Sequence, residues 1–270
     1  MTPSSRPSAA TSWRTASPSP RWTSAAWAVR LDWLTAGIVE QADDVRAALE
    51  TLRHSPHLTG VPIGLFDHSQ GGWVVLEAAA PGPGVAFVVT SSGPGVSPAE
   101  QERHAAADGL RRAGRSPADV ESALTTYESM LESIRAGASY EDFQRALGAE
   151  ADRRQLDHLR QVAFVPDSQA LWTFAGLIID YDPPSAMRRI SCPVLALFGA
   201  EDRSVPVERS VAAYRDALGQ VAAHVFPGAD HRCQLGDPPR MAPGYLDILA
   251  DEIHRYASVG RSAWGGARGF

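Results

Sequence analysis

Apolar residues along the chain fall into two kinds of run. From Ile38, the positions Ile38, Ala42, Val45, Leu49 and Leu52 recur at three- and four-residue intervals. That spacing puts them on one stripe and predicts a helix over 38–53. After a loop containing Pro56 and Gly60, Pro62–Phe66 is a short continuous apolar run, as expected of a strand buried on both faces. It leads into Asp67-His68-Ser69-Gln70-Gly71-Gly72, and Trp73–Ala80 then reads as a helix ended by Pro81, Gly82 and Pro83. The β-branched run Val85–Val89 predicts a second buried strand, closed by Thr90-Ser91-Ser92-Gly93-Pro94-Gly95.

From Pro98 to about Leu159 the chain is charged, Ala-rich and helical in pattern, with breaks near Gly114–Pro117 and Gly137–Ser139. It is too long for one crossover helix and is expected to be a helical insertion over a sheet edge. Alternation then resumes, with a helix around Leu171–Ile179, a strand Pro193–Phe198, a helix Val207–Leu218, a strand Ala223–Phe226 and a helix Gly244–Tyr256. Short apolar strands alternating with helices imply an α/β fold, a mainly parallel sheet covered by helices on both faces. The expected domain is 38–257, with a helical cap at about 97–165 and a flexible tail at 258–270. Residues 1–37 fit neither period. The first thirty hold seven Ser, four Pro and three Trp, and are expected to be irregular.

Composition narrows the function classes. Hydrophobic residues make up 44% and charged residues 21% of 270, ordinary for a globular enzyme. The net charge of -6 argues against nucleic acid as a partner, since phosphate binding needs a basic face. No apolar stretch approaches the ~20 residues that span a bilayer, and the N-terminus lacks the apolar core of a secretory signal. A soluble, cytoplasmic protein is the expectation. Cys192 and Cys233 cannot form a disulfide framework, and nothing matches a zinc ligand set. Two unpaired thiols are expected, with a single disulfide as the alternative, and no metal or cofactor.

The order strand, Ser69, Gly71-Gly72, helix carries the chemistry. A nucleophilic serine at the end of a strand sits on a turn so tight that neighbouring side chains would collide, and small residues around it relieve the crowding. Gln70 follows the serine, and its N–H at the start of the helix can donate to an oxyanion. Serine needs a base, itself held by a carboxylate. Asp202 lies after the strand ending at Phe198, and His231 after the strand ending at Phe226. Carboxyl ends of parallel strands share one side of the sheet, so the three can converge.

With these residues in place, Gly64 through Trp73 resembles the Gly-His-Ser-Gln-Gly-Gly elbow of bacterial α/β-hydrolase serine esterases, near the dienelactone-hydrolase and prolyl-oligopeptidase-like branch. Pro193 through Pro206 is similar to that family's acid loop, and Gly228-Ala229-Asp230-His231 to its histidine loop. The resemblance implies an α/β-hydrolase fold over about 38–257, with Ser69 as nucleophile, Asp202 as acid and His231 as base. Two features depart from it. Asp67 stands where the family has glycine; its carboxylate either raises the proton affinity of His231 or simply faces a polar loop. The family's early strands and their His-Gly loop, source of a second oxyanion donor, have no counterpart in the first 37 residues, which imply a shortened N-terminus, natural or arising by truncation or frameshift.

Other residues take lesser parts. His68 belongs to the elbow and is expected to pack. Asp230 and Glu201 are fallback carboxylates to Asp202. His104, His158, His224 and His254 are expected at the surface or in packing. Trp172, Phe174, Leu177 and Ile178 either line an acyl pocket or fill the core. The expected function is hydrolysis of a small-molecule carboxylic ester, with short acyl chains preferred. A thioesterase, amidase or peptidase using the same residues, or a non-catalytic hydrolase-like binding protein, are the alternatives.

Overall fold

The computed structural model describes residues 33–80, 84–147 and 150–265. The expectations for 1–32 and 266–270 lie outside the described residues. Four strands, β1 (Leu65–His68), β2 (Val88–Ser91), β3 (Val194–Gly199) and β4 (Val221–Phe226), form one parallel sheet in sequence order. Leu65 pairs with Val88, Val88 with Val194, and Val194 with Val221.

Parallel neighbours require crossovers, and helices supply them. Helices α1 (Ile38–Arg53) and α2 (Gln70–Ala79) precede and follow β1. Between β2 and β3 run α3 (Pro98–Arg112), α4 (Pro117–Arg135), α5 (Tyr140–Ala146), α6 (Glu150–Arg160), α7 (Gln169–Ile178) and α8 (Pro183–Met187). Helix α9 (Val207–Ala217) joins β3 to β4, and α10 (Tyr245–Gly265) closes the domain.

The strands are apolar throughout because both faces are covered. Val88, Val194, Ala196 and Phe198 point to one side, where α1, α2 and α9 supply Ile38, Leu76 and Tyr214. Val89, Leu195 and Leu197 point to the other, onto Tyr245 and Tyr256 of α10. The insertion has a core of its own, built from Leu110, Tyr127, Met130, Leu156, Leu159 and Trp172 among others. Serine caps start its helices: Ser97, Ser116, Ser139 and Ser168 accept from Glu100, Asp119, Asp142 and Leu171 N–H respectively. Its entry and exit meet where Ala99 N–H donates to Ile179 O at 3.2 Å. Its exit is tied to α2 through buried Glu77, which accepts from Arg189 at 3.0 Å and Tyr181 at 3.2 Å.

Several boundaries move from expectation. Helix α1 begins and ends as predicted, but β1 and β2 lie about three residues later than their apolar runs. Sheet pairing carries the strands on into the polar residues Asp67, His68, Thr90 and Ser91. The cap core reaches Trp172 and Ala175 of α7, past the expected limit near 165. Helix α10 continues to Gly265, where a tail from 258 was expected.

Candidate active site

Ser69 occupies the junction between β1 and α2 with φ 55 and ψ -126. A non-glycine residue in this region costs roughly 1–3 kcal/mol and persists only where its surroundings impose it. Here the surroundings are specific. Ser69 N–H donates to Ser91 O at 2.9 Å across the sheet, and Gly72 N–H donates back to Ser69 O at 2.8 Å. A β-carbon on Gly72 would stand 2.6 Å from Gly93 Cα, so only glycine lets α2 pass this close to the loop after β2. Trp73 fastens the same approach, its indole N–H donating to Val96 O at 3.2 Å. Gln70 is the first residue of α2, where a helical N–H has no acceptor inside the helix.

The other two residues arrive from the carboxyl ends of β3 and β4. His231 Nε2 lies 3.0 Å from Ser69 Oγ, and His231 Nδ1 lies 2.8 Å from Asp202 Oδ2. The Asp202 side chain is fully buried, whereas the His231 side chain keeps 27% of its surface, so the imidazole is open to solvent while its carboxylate partner is not. Asp202 Oδ1 accepts from Ser204 N–H at 2.9 Å and Val205 N–H at 3.0 Å. Those bonds fix the carboxylate and leave Oδ2 for the imidazole. Asp230 is turned elsewhere, its Oδ1 accepting from Arg232 and Gln234 N–H within its own loop. Glu201 is exposed, and His104, His158, His224 and His254 have no part in this cluster.

His68 packs beside the line, its ring 4.8 Å from that of His231. Burial, and next the charge of His231, hold its pKa below the ordinary histidine value. Asp67 is exposed, and its Oδ1 accepts the His68 N–H at 2.7 Å. The candidate pocket residues separate: Trp172 stacks on Phe143 in the cap core, Phe174 and Ile178 join the core beside α2, and Leu177 is 46% exposed.

One group escaped the sequence reading. Ser91, Ser92, Cys233 and Tyr245 are buried together under the histidine loop. Tyr245 OH donates to Ser91 Oγ at 3.0 Å, and the Cys233 thiol lies 3.8 Å from Ser91 Oγ and 3.9 Å from Ser92 Oγ. Burial pushes the Cys233 thiol above its ordinary pKa, which keeps it in the protonated, less nucleophilic form. The available signal was the polar pair Ser91-Ser92 ending a buried strand. Both cysteines are free thiols, Cys233 buried and Cys192 partly so.

A strand–serine–helix elbow, an acid after a later strand and a histidine after the last, all at the carboxyl edge of one parallel sheet with a helical cap, make up the α/β-hydrolase fold. No protein-family model matches the chain, and no curated protein matches it either. Among solved structures it is similar to a thermophilic esterase from Thermogutta terrifontis, at 20% identity, 84% of this chain, 74% of that one and TM-score 0.44. It is similar also to a proline iminopeptidase from Mycobacterium smegmatis, at 18% identity, 82% and 71% coverage and TM-score 0.46. A peroxisomal α/β-hydrolase from Saccharomyces cerevisiae matches at 12% identity, 84% and 63% coverage and TM-score 0.48. Among the described residues no helix is long and apolar enough to cross a membrane, and no three His, Cys, Asp or Glu are grouped to hold a metal ion.

Proposed function

We propose that this protein is a serine hydrolase that cleaves small carboxylic esters through an acyl-enzyme on Ser69. The observation that carries the reading is the unbroken hydrogen-bonded line from Ser69 Oγ through His231 to buried Asp202, at 3.0 and 2.8 Å. Asp202 keeps the Nδ1 proton on His231, which leaves Nε2 free to take the serine proton. Ser69 Oγ attacks the carbonyl carbon as that proton moves to Nε2, and the Gln70 N–H receives the negative charge on the carbonyl oxygen. Nε2 then protonates the departing alcohol, leaving the acyl group on Ser69. Water gives a proton to Nε2 and attacks the acyl carbon; the acid leaves as Ser69 recovers its proton.

Thioester and amide bonds would pass through the same residues, so the leaving group is a matter for assay. Preference for short acyl chains is supported by α7, whose large apolar side chains Trp172 and Phe174 are spent on packing. A fluorophosphonate probe is expected to label Ser69 and to leave Ser69→Ala unlabelled. Turnover of nitrophenyl acetate by Ser69→Ala is expected below about 1% of the unaltered protein, since loss of a nucleophile costs several orders of magnitude. Labelling that survives Ser69→Ala would defeat the proposal.

A further inference from the structure

Asp67 is the elbow residue that the mechanism leaves idle. Its carboxylate is exposed, Oδ1 takes the His68 N–H at 2.7 Å, and among the described residues no cation pairs with either oxygen. Several other carboxylates of this chain are met by arginine: Glu128 by Arg103, Asp180 by Arg135 and Asp157 by Arg160. Two residues of extended chain put Asp67 about 7 Å from Ser69. The carboxylate leans on Gly71, in the first turn of the helix that Gln70 opens.

A negative charge therefore stands two residues from Ser69, against the helix turn whose Gln70 N–H would receive the charge that develops on the substrate carbonyl. A neutral or anionic substrate meets that charge as a penalty, whereas a substrate bearing a cation pairs with it. We infer that Asp67 determines specificity, favouring esters that carry an ammonium or similar cationic group near the scissile bond. The inference rests on the serine-hydrolase reading of the same site.

Two pairs of isosteres test it, each compared by kcat/KM at low salt. Acetylthiocholine against the analogue with tert-butyl in place of trimethylammonium puts the charge on the leaving side. A nitrophenyl ester of a trimethylammonio-alkanoic acid against its tert-butyl isostere puts it on the acyl side. The unaltered protein is expected to prefer the cation about fivefold in at least one pair. In Asp67→Asn, which keeps an acceptor for the His68 N–H, the ratio is expected to fall to about one. No preference in either pair, or a preference that Asp67→Asn leaves intact, overturns the inference. Fluorophosphonate labelling of the same preparations separates the two failures. Labelled protein without cation preference refutes the role of Asp67 alone; protein unlabelled at Ser69 refutes the underlying reading and this inference with it.

Discussion

The carboxylate of Asp67 occupies the space that a side chain on Gly71 would need. Glycine at the first of these positions is what the family resemblance leads one to expect, and here the pair is asymmetric, one residue enlarged and the other bare. The two sites should therefore be energetically coupled. Gly71→Ala would gain helix propensity but force Asp67 away from the His68 N–H. In an Asp67→Gly background only the gain remains. A double-mutant cycle by urea unfolding is expected to give a coupling of about 1 kcal/mol. Coupling near zero would mean that Asp67 rotates away at no cost.

Asp202→Asn is expected to lower kcat about 10⁴-fold. Asp202 Oδ1 already holds two backbone N–H groups, so the asparagine oxygen would stay with them and turn its NH₂ toward His231. Nδ1 would then have to accept, and Nε2 would carry the proton and block Ser69. Asp230→Asn keeps an oxygen for its own loop and is expected to cost less than about tenfold by the same logic. Parallel kcat measurements check the ranking; the reverse order would show that Asp230 orients the base.

His68 should titrate below the ordinary histidine value of about 6.5. Burial, then the charge on His231, favours its neutral form. His231→Gln removes the second cause, so the His68 pKa is expected to rise in that variant without fully recovering. The unfolded chain binds this proton more readily than the folded one, so the linked stability is complete above the unfolded value. It is lost as pH falls through the depressed native value. Histidine NMR titration of both proteins is the measurement. A value at or above the ordinary one in the unaltered protein would show that burial is not what governs this ring.

Acetyl and butyryl esters are expected to be cleaved faster than lauroyl esters. The large apolar residues of α7 that could have formed a long acyl slot are packed into two cores, and Leu177 faces outward. A series of nitrophenyl esters of increasing length would show it in kcat/KM. Faster cleavage of a long-chain triglyceride emulsion than of soluble butyrate ester would contradict it.

Much of this architecture was legible because it is local. Helix α1 follows from the interval between Ile38, Ala42, Val45 and Leu49, and β3 from an apolar run that the sheet buries on both faces. The serine, acid and histidine were legible for a topological reason: each follows an apolar strand, and parallel strands end on the same side. What strand length hid was the polar end of each strand. Thr90 and Ser91 read as the start of a loop, yet they are paired in the sheet and buried. Tyr214 and Tyr245, more than a hundred residues away, hydrogen-bond their hydroxyls.

The sequence by itself determined the order of elements, the sheet's parallel sense and that Ser69 and His231 meet beside Asp202 or Asp230. Periodicity and chain direction are properties of neighbouring residues, and they suffice for that. Only the tertiary structure decided which carboxylate faces His231. Asp202 and Asp230 are both close to the site in sequence terms, and the choice depends on which backbone N–H groups capture the spare oxygen of each. It also decided that Trp172 and Phe174 serve two cores instead of a pocket, and that Asp67 lies on Gly71 with no cationic partner among the described residues. Those outcomes depend on distances between segments far apart in the chain, which no local pattern encodes.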